Sequence, residues 1–112
     1  MENINKLVPK PWGREVIFAH TDKYVGKLLY IKKGHQLSLQ FHNVKDETML
    51  VVEGTGQITM EEGIQNYSPG KSYWIPPKTI HRIKAQTPTT IVEVSTPELD
   101  DVVRIEDNYG RR

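Results

Sequence analysis

The chain has 112 residues, the usual size of a single domain with one hydrophobic core. Its 15 Lys and Arg residues nearly balance 14 Asp and Glu, and the basic residues are scattered, which argues against a nucleic-acid partner or a membrane surface. There is no cysteine, so disulfides and thiolate chemistry are excluded. No segment resembles a signal peptide or a membrane span, and we expect one soluble, cytoplasmic domain over residues 1–112.

Short β-rich runs separated by Gly- and Pro-containing turns predict an all-β sandwich or barrel. No stretch of ten residues shows a helical period. In chain order, strands are predicted near residues 15–19, 25–32, 37–42, 48–53, 56–60, 64–67, 72–75, 80–85, 90–95 and 101–105.

The strand predicted at residues 37–42 has one apolar and one polar face. Alternation places Leu37, Leu39 and Phe41 on one side and Ser38, Gln40 and His42 on the other. A polar face in the middle of a β-run indicates either solvent exposure or a lined cavity. Alternation alone does not choose between them.

The spacing around this strand resembles the first motif of the cupin superfamily, and a later segment resembles the second. Motif 1 covers residues 34–54 and motif 2 covers residues 70–85, with 15 residues between them. The matching residues are Gly34, Gln40, His42, Glu47 and Gly54, then Gly70, Pro76 and His81. Gln40 stands where the superfamily usually has His, Lys78 where it has Gly, and Ala85 where it has Asn. The resemblance implies a single-domain cupin, a double-stranded β-helix or jelly-roll barrel.

The same positions suggest a metal site formed by Gln40, His42, Glu47 and His81. Two side chains two apart on one strand point the same way, and the motif brings the other two to them. Nitrogen and oxygen ligands suit a divalent ion, with zinc as the first choice and Mn, Fe, Co or Ni as alternatives. Because Gln is a weak ligand, Gln40 could instead bond a sugar hydroxyl. His20 and His35 lie outside the motifs, and we assign them no ligand role.

A closer resemblance links residues 10–111 to the type II mannose-6-phosphate isomerase domain, which is the C-terminal domain of bifunctional mannose-1-phosphate guanylyltransferase/mannose-6-phosphate isomerases. In that family Gln takes the first ligand position, so Gln40 becomes the expected residue. The matching segments are K-P-W-G at 10–13, L-S-L-Q-F-H at 37–42, I-P with H-R between 75 and 82, V-E-V at 92–94, D-D-V-V-R at 100–104 and D-N-Y-G-R at 107–111.

This resemblance implies aldose-ketose interconversion of a 6-phosphorylated hexose, in which a base moves a proton between C1 and C2 through an enediol. Glu93 is the candidate base, and Lys45, at the family's Arg position, is a candidate catalytic cation or phosphate ligand. Arg82 and Arg104 are further candidates for a phosphate clamp, and Ser38 for substrate binding. The expected partner is a small-molecule sugar phosphate.

Some departures from the family favour other functions. Asn43 and Thr48 replace a His-rich run and the His of E-H-W, which would remove imidazoles beside the metal. The main alternative is therefore a non-catalytic carbohydrate-binding or sensing cupin module. A metal-dependent oxygenase is less favoured, because those sites usually present three imidazoles and a carboxylate. The sequence has no counterpart of the nucleotidylyltransferase domain, so GDP-mannose synthesis is not expected.

The large apolar residues indicate packing rather than catalysis. We expect them in the core or in the interface of a homodimer, since an exposed strand edge favours pairing. They are Trp12, Phe18, Tyr73, Trp74 and residues 49–52.

Overall fold

The computed structural model describes residues 3–111, and its regular elements in this range are all β-strands. Accordingly, no helix long and apolar enough to cross a membrane occurs among the described residues. The strands are β1 Lys6–Lys10, β2 Gly13–His20, β3 Val25–Ile31, β4 Leu39–Phe41, β5 Glu47–Glu53, β6 Gly56–Met60, β7 Gly63–Tyr67, β8 Ser72–Ile75, β9 Arg82–Ala85, β10 Thr89–Ser95 and β11 Val103–Glu106.

The larger sheet has six antiparallel strands in the order β1-β2-β3-β10-β5-β8. Alternation gives it two faces, and residues directly opposite each other share a face. Leu29, for example, lies opposite Ile91, which lies opposite Val51, and all three are buried. The neighbouring row, which includes Val92 and Leu50, points outward.

The second layer consists of a three-stranded sheet, β7-β6-β9, and a two-stranded sheet, β11-β4. Bridges from Gln36 to Lys84 and from Gln40 to His81 join the two small sheets. The core lies between this layer and the larger sheet, as expected for a two-layer β-sandwich. Its buried residues are Trp12, Leu29, Ile31, Leu37, Met49, Val51, Ile58, Tyr67, Ile75, Ile83, Ala85 and Ile91.

A β-bulge distorts the segment predicted as one strand at residues 37–42. Gln36 pairs with Lys84 and Gln40 with His81, so four steps on one side match three on the other. The extra residue turns Leu37 into the core, and the prediction that it shares a face with Leu39 and Phe41 is wrong. The regular strand shortens to Leu39–Phe41. Ser38 and His42 are buried, so the polar face lines the interior rather than meeting solvent.

The first strand, β1, was not predicted because Pro9 falls within it. Pro lacks the N–H of a ladder residue and is tolerated at a sheet edge, which is where β1 lies. Lys10 ends this strand and thereby reaches the interior cavity. Among the large apolar residues, Trp12 is buried as expected, whereas Trp74 is 65% exposed.

Candidate functional site

Three side chains from distant parts of the chain meet in the interior. His42 follows β4, Glu47 begins β5 and His81 precedes β9. Their exposed fractions are 4%, 2% and 1%. The Nε2 atoms of His42 and His81 lie 2.7 Å and 3.7 Å from Glu47 Oε1. One potential ligand atom from each residue lies within 4.8 Å of the others, so the three could hold a metal ion together.

Hydrogen bonds define the protonation of both imidazoles. His42 Nδ1 donates to the carbonyl oxygen of Asp101 at 2.5 Å, and His81 Nδ1 donates to that of Thr79 at 2.8 Å. Because a carbonyl oxygen only accepts, each ring carries a proton on Nδ1, and its Nε2 atom faces Glu47. Burial lowers the pKa of His81 to about 4, which keeps this ring neutral at neutral pH. Such outer hydrogen bonds typically orient metal-ligating imidazoles.

The donor atoms fit a cation. Both Nε2 atoms and both carboxylate oxygens of Glu47 are buried and lack a hydrogen-bond partner. His42 Nε2 is close to Glu47 Oε1 but not in hydrogen-bonding geometry, and in the Nδ1–H tautomer both atoms are acceptors. Buried acceptors without a donor are unfavourable, whereas a shared cation satisfies them all. Two imidazoles and a carboxylate suit zinc and other first-row divalent ions.

Gln40 lies beside this cluster. It occupies one cross-strand row with His81 on one side and Arg104 on the other. Directly opposite residues project to the same face, and Gln40 lines the same cavity as His42 and Arg104. Ser38 Oγ donates a hydrogen bond of 2.6 Å to Gln40 Oε1 and thus holds the amide. Ser38 is 1% exposed and does not line the cavity, so the structure gives it a supporting contact rather than a substrate contact.

The two residues predicted to take part in catalysis form a buried ion pair. Lys45 Nζ donates to Glu93 Oε2 at 2.9 Å, and both residues are 4% exposed and line the cavity. Burial and the Glu47 carboxylate raise the pKa of Glu93 above that of an exposed Glu. Burial opposes ionisation of Lys45, but Glu93 and Glu47 outweigh it and raise the Lys45 pKa. Lys45 is therefore a charged interior ammonium.

Sequence reasoning missed a second ion pair in the same interior. Lys27 Nζ lies 3.4 Å from Glu15 Oε2, and Lys27 is directly opposite Glu93 in the β3–β10 ladder. The available signal was a lysine at an inward position of the otherwise apolar strand β3. The interior thus carries a row of alternating negative and positive side chains. The row runs through Glu15, Lys27, Glu93, Lys45 and Glu47 and ends at the two imidazoles. Burial raises the Glu47 pKa, but its contacts with His42 and Glu93 and the Lys45 charge lower it to about 2.

The structure separates the two predicted clamp arginines. Arg104 lines the cavity, and its Nε is buried without a hydrogen-bond partner. Arg82 follows His81 and therefore points to the other side of its strand. Its guanidinium donates to the Leu37 carbonyl at 3.1 Å and to Glu106, and Arg82 does not line the cavity. The structure therefore does not place Arg82 in the predicted phosphate clamp.

The departures at Asn43 and Thr48 lie away from the cluster of His42, Glu47 and His81. Asn43 is exposed, and Thr48 lies on the outer face of the sheet opposite Trp74. The family histidines at these positions would therefore not enter the cavity of this structure, and their loss is not a reason to expect lost chemistry. His20 is exposed, and His35 Nδ1 hydrogen-bonds the Tyr109 hydroxyl at 2.6 Å, so neither joins the cluster.

Similar solved structures define the fold class. KdgF from Halomonas sp. matches with a TM-score of 0.79 and 22% identity over 89% of this chain and 94% of that chain. An RmlC-like cupin from Shewanella frigidimarina matches with a TM-score of 0.77 and 15% identity over 89% and 90%. The chain therefore has the cupin fold, a double-stranded β-helix, as the sequence predicted.

Sequence similarity then gives the family. The family model described as mannose-6-phosphate isomerase C-terminal matches residues 1–107. A mannose-1-phosphate guanylyltransferase from Escherichia coli is 34% identical over 113 residues, which is 96% of this chain and 24% of that relative. The chain belongs to the mannose-6-phosphate isomerase C-terminal family, and it spans about a quarter of the length of the curated relatives it matches.

Proposed function

We propose that the chain is a metal-dependent sugar-phosphate isomerase that interconverts mannose 6-phosphate and its ketose. The divalent ion, zinc in the first instance, is held by His42, Glu47 and His81, with Gln40 as the fourth ligand. The observation that carries this proposal is the set of buried side-chain atoms, on two imidazoles and one carboxylate, that have no hydrogen-bond partner among the described residues. Membership of the isomerase family supports the choice of reaction.

In the proposed reaction, Glu93 removes the proton from C2 of the open-chain aldose and returns it to C1. Its raised pKa suits this role, because a general base works best when its pKa lies closer to the operating pH. Lys45, 2.9 Å from Glu93, orients the carboxylate and donates a hydrogen bond to the oxygen that gains negative charge. The metal ion would supply Lewis-acid polarisation of the substrate oxygens.

The cavity lining favours an anionic sugar over an apolar oxygenase substrate. The cavity is lined by more cationic side chains than carboxylates, of which there are two, Glu15 and Glu93. This excess of positive charge attracts phosphate. The cationic residues are Lys10, Lys27, Lys45, Arg104 and Arg111.

The size of the cavity favours a second candidate, a carbohydrate-binding or sensing module without catalysis. Its volume is about 70 Å³, which holds a few water molecules and is well below the volume of typical ligand pockets. Turnover of a hexose phosphate therefore requires long side chains of the lining, such as Lys10 and Arg104, to move and enlarge the cavity. A protein that binds metal but never turns over mannose 6-phosphate would support this second candidate.

The first test is metal analysis with an isomerase assay. We expect stoichiometric metal in the wild type and loss of both metal and turnover in His42→Ala and His81→Ala. His20→Ala is the matched control, because His20 is exposed and outside the cluster, and it should retain both. Wild-type protein that binds no divalent metal would contradict the proposal.

We also propose that two copies pair through the outer face of the larger sheet. Leu50, Val52, Trp74 and Val94 are 40–65% exposed on neighbouring strands β5, β8 and β10. A twofold axis would place this apolar face against the same face of a second copy and bury both. Sedimentation should show a dimer that Val94→Lys dissociates, whereas Ile64→Lys on the opposite layer leaves it intact. A wild-type monomer at high concentration would contradict the pairing.

A further inference from the structure

Most cations around the cavity already have a carboxylate partner. Lys27 pairs with Glu15, and Lys45 pairs with Glu93. Arg111 donates from Nε and a terminal nitrogen to the carboxylate of Asp107, at 2.9 and 3.1 Å. These three contacts neutralise much of the positive charge that the lining carries.

Lys10 and Arg104 differ from the other cations. Among the described residues, no carboxylate oxygen lies within 4.0 Å of either side-chain cation. The two come from different layers, since Lys10 ends β1 and Arg104 lies on β11, yet both line one cavity. They therefore form a pair of cavity-lining cations without a carboxylate partner among the described residues.

The guanidinium of Arg104 has an unused donor. Its Nε is buried and has no hydrogen-bond acceptor in the structure. A buried N–H without an acceptor is unfavourable, and a phosphate oxygen would satisfy it in the fork geometry that arginine offers.

The surroundings of Lys10 are positively charged. Burial lowers its pKa, Glu15 opposes that change, and Lys27, Arg111 and Arg104 lower it further. Of these cations, Arg104 has no carboxylate within 4.0 Å among the described residues and lines the same cavity as Lys10, so the two charges together favour an anion between them.

We propose that Lys10 and Arg104 bind the phosphate group of the substrate in the cavity. This inference rests on the proposed sugar-phosphate chemistry and assigns its phosphate site. Arg104 and His81 flank Gln40 in one row of inward side chains, so the phosphate lies on the opposite side of Gln40 from His81. A substrate held at both ends presents its carbonyl end to Glu93 and its phosphate end to Lys10 and Arg104.

The test measures binding of inorganic phosphate and of mannose 6-phosphate to metal-loaded protein by calorimetry. Lys10→Gln and Arg104→Gln should each weaken both ligands by about 10- to 100-fold, because each removes a charged hydrogen bond. Unphosphorylated mannose should bind the wild type and both variants alike. Metal content and circular dichroism should stay at wild-type values.

Two matched controls remove the same charges outside the cavity. Lys84→Gln and Arg14→Gln alter exposed residues that do not line it, and they should bind phosphate as the wild type does. Wild-type phosphate affinity in both Lys10→Gln and Arg104→Gln would overturn the inference, as would a wild type that binds no phosphate.

The result separates this inference from the proposed isomerase reaction. Loss of phosphate binding in Lys10→Gln and Arg104→Gln alone supports the anion site, whether or not the wild type shows turnover. If the wild type shows no turnover, only the isomerase proposal fails. When turnover is present, both variants should raise KM more than they lower kcat. If the wild type is active and both variants bind phosphate with wild-type affinity, the isomerase proposal stands and the anion site is rejected.

Discussion

Replacing Lys45 by Met is the most direct test of the charged interior. Met keeps the length of the side chain but removes the ammonium that pairs with Glu93 at 2.9 Å. Side chains of both partners are only 5% and 6% exposed, so water cannot replace the lost charge. Removing one partner of a buried pair costs about 3–5 kcal/mol. For a chain of this size, that corresponds to a fall in Tm of about 12–20 °C.

The stability lost in Lys45→Met depends on pH because the Glu93 carboxyl remains in the interior without its partner. Burial and Glu47 raise the pKa of Glu93, and without the Lys45 charge that pKa rises further. A carboxyl with a higher pKa in the folded than in the unfolded state favours folding as the pH falls. The free-energy difference between Lys45→Met and wild type should therefore shrink from about pH 8 to about pH 5.

Urea unfolding of both proteins in excess chelator measures this difference without a contribution from bound metal. Lys45→Met combined with Glu93→Gln is the control, because it leaves no unpaired charge and should recover a substantial part of the loss. A loss below about 1 kcal/mol at neutral pH, or one that grows in acid, would refute the buried pair.

Two further predictions concern the backbone around the metal cluster. Lys78 has a φ of 66°, where the superfamily has Gly, so Lys78→Gly should relieve left-handed strain and stabilise the fold by about 0.5–1 kcal/mol in urea unfolding. The same change at Lys33, whose φ is not positive, should destabilise it. The Asp101 carboxylate accepts the N–H groups of Asn43, Val44 and Lys45, and Asp101→Asn should cost about 1–2 kcal/mol at neutral pH. Those N–H groups hold the Asp101 pKa below its usual value, so this loss should fade as the pH falls through that lowered pKa, whereas Asp100→Asn should have little effect at any pH.

Local spacing accounts for what sequence reasoning predicted well. Alternation along a strand places Gln40 and His42 on one side, and the motif spacing adds Glu47 and His81. Turn residues bounded most of the strands, and the absence of helical periods indicated an all-β fold. Alternation and turns depend on residues close together in the chain, and the resemblance to two motifs supplies His81, which is why these features can be read without coordinates.

Predictions failed where pairing between distant segments decides the outcome. The bulge before Gln40 exists only against the strand that carries His81, and it moves Leu37 into the core. Arg82 and Arg104 looked equivalent in sequence, yet only Arg104 reaches the cavity. Strand β1 was missed because proline discourages a strand assignment unless the strand is known to lie at an edge.

The sequence by itself determined an all-β cupin and predicted that His42, Glu47 and His81 come together. Only the tertiary structure decided which charges are partnered. Lys45 could have been a surface cation, but the pairing of distant strands buries it against Glu93. The same pairing joins Lys27 to Glu15 and, within residues 3–111, leaves Lys10 and Arg104 without a carboxylate partner. Partnership between charges depends on register and side-chain direction across strands, and neither is encoded in the local pattern of any one strand.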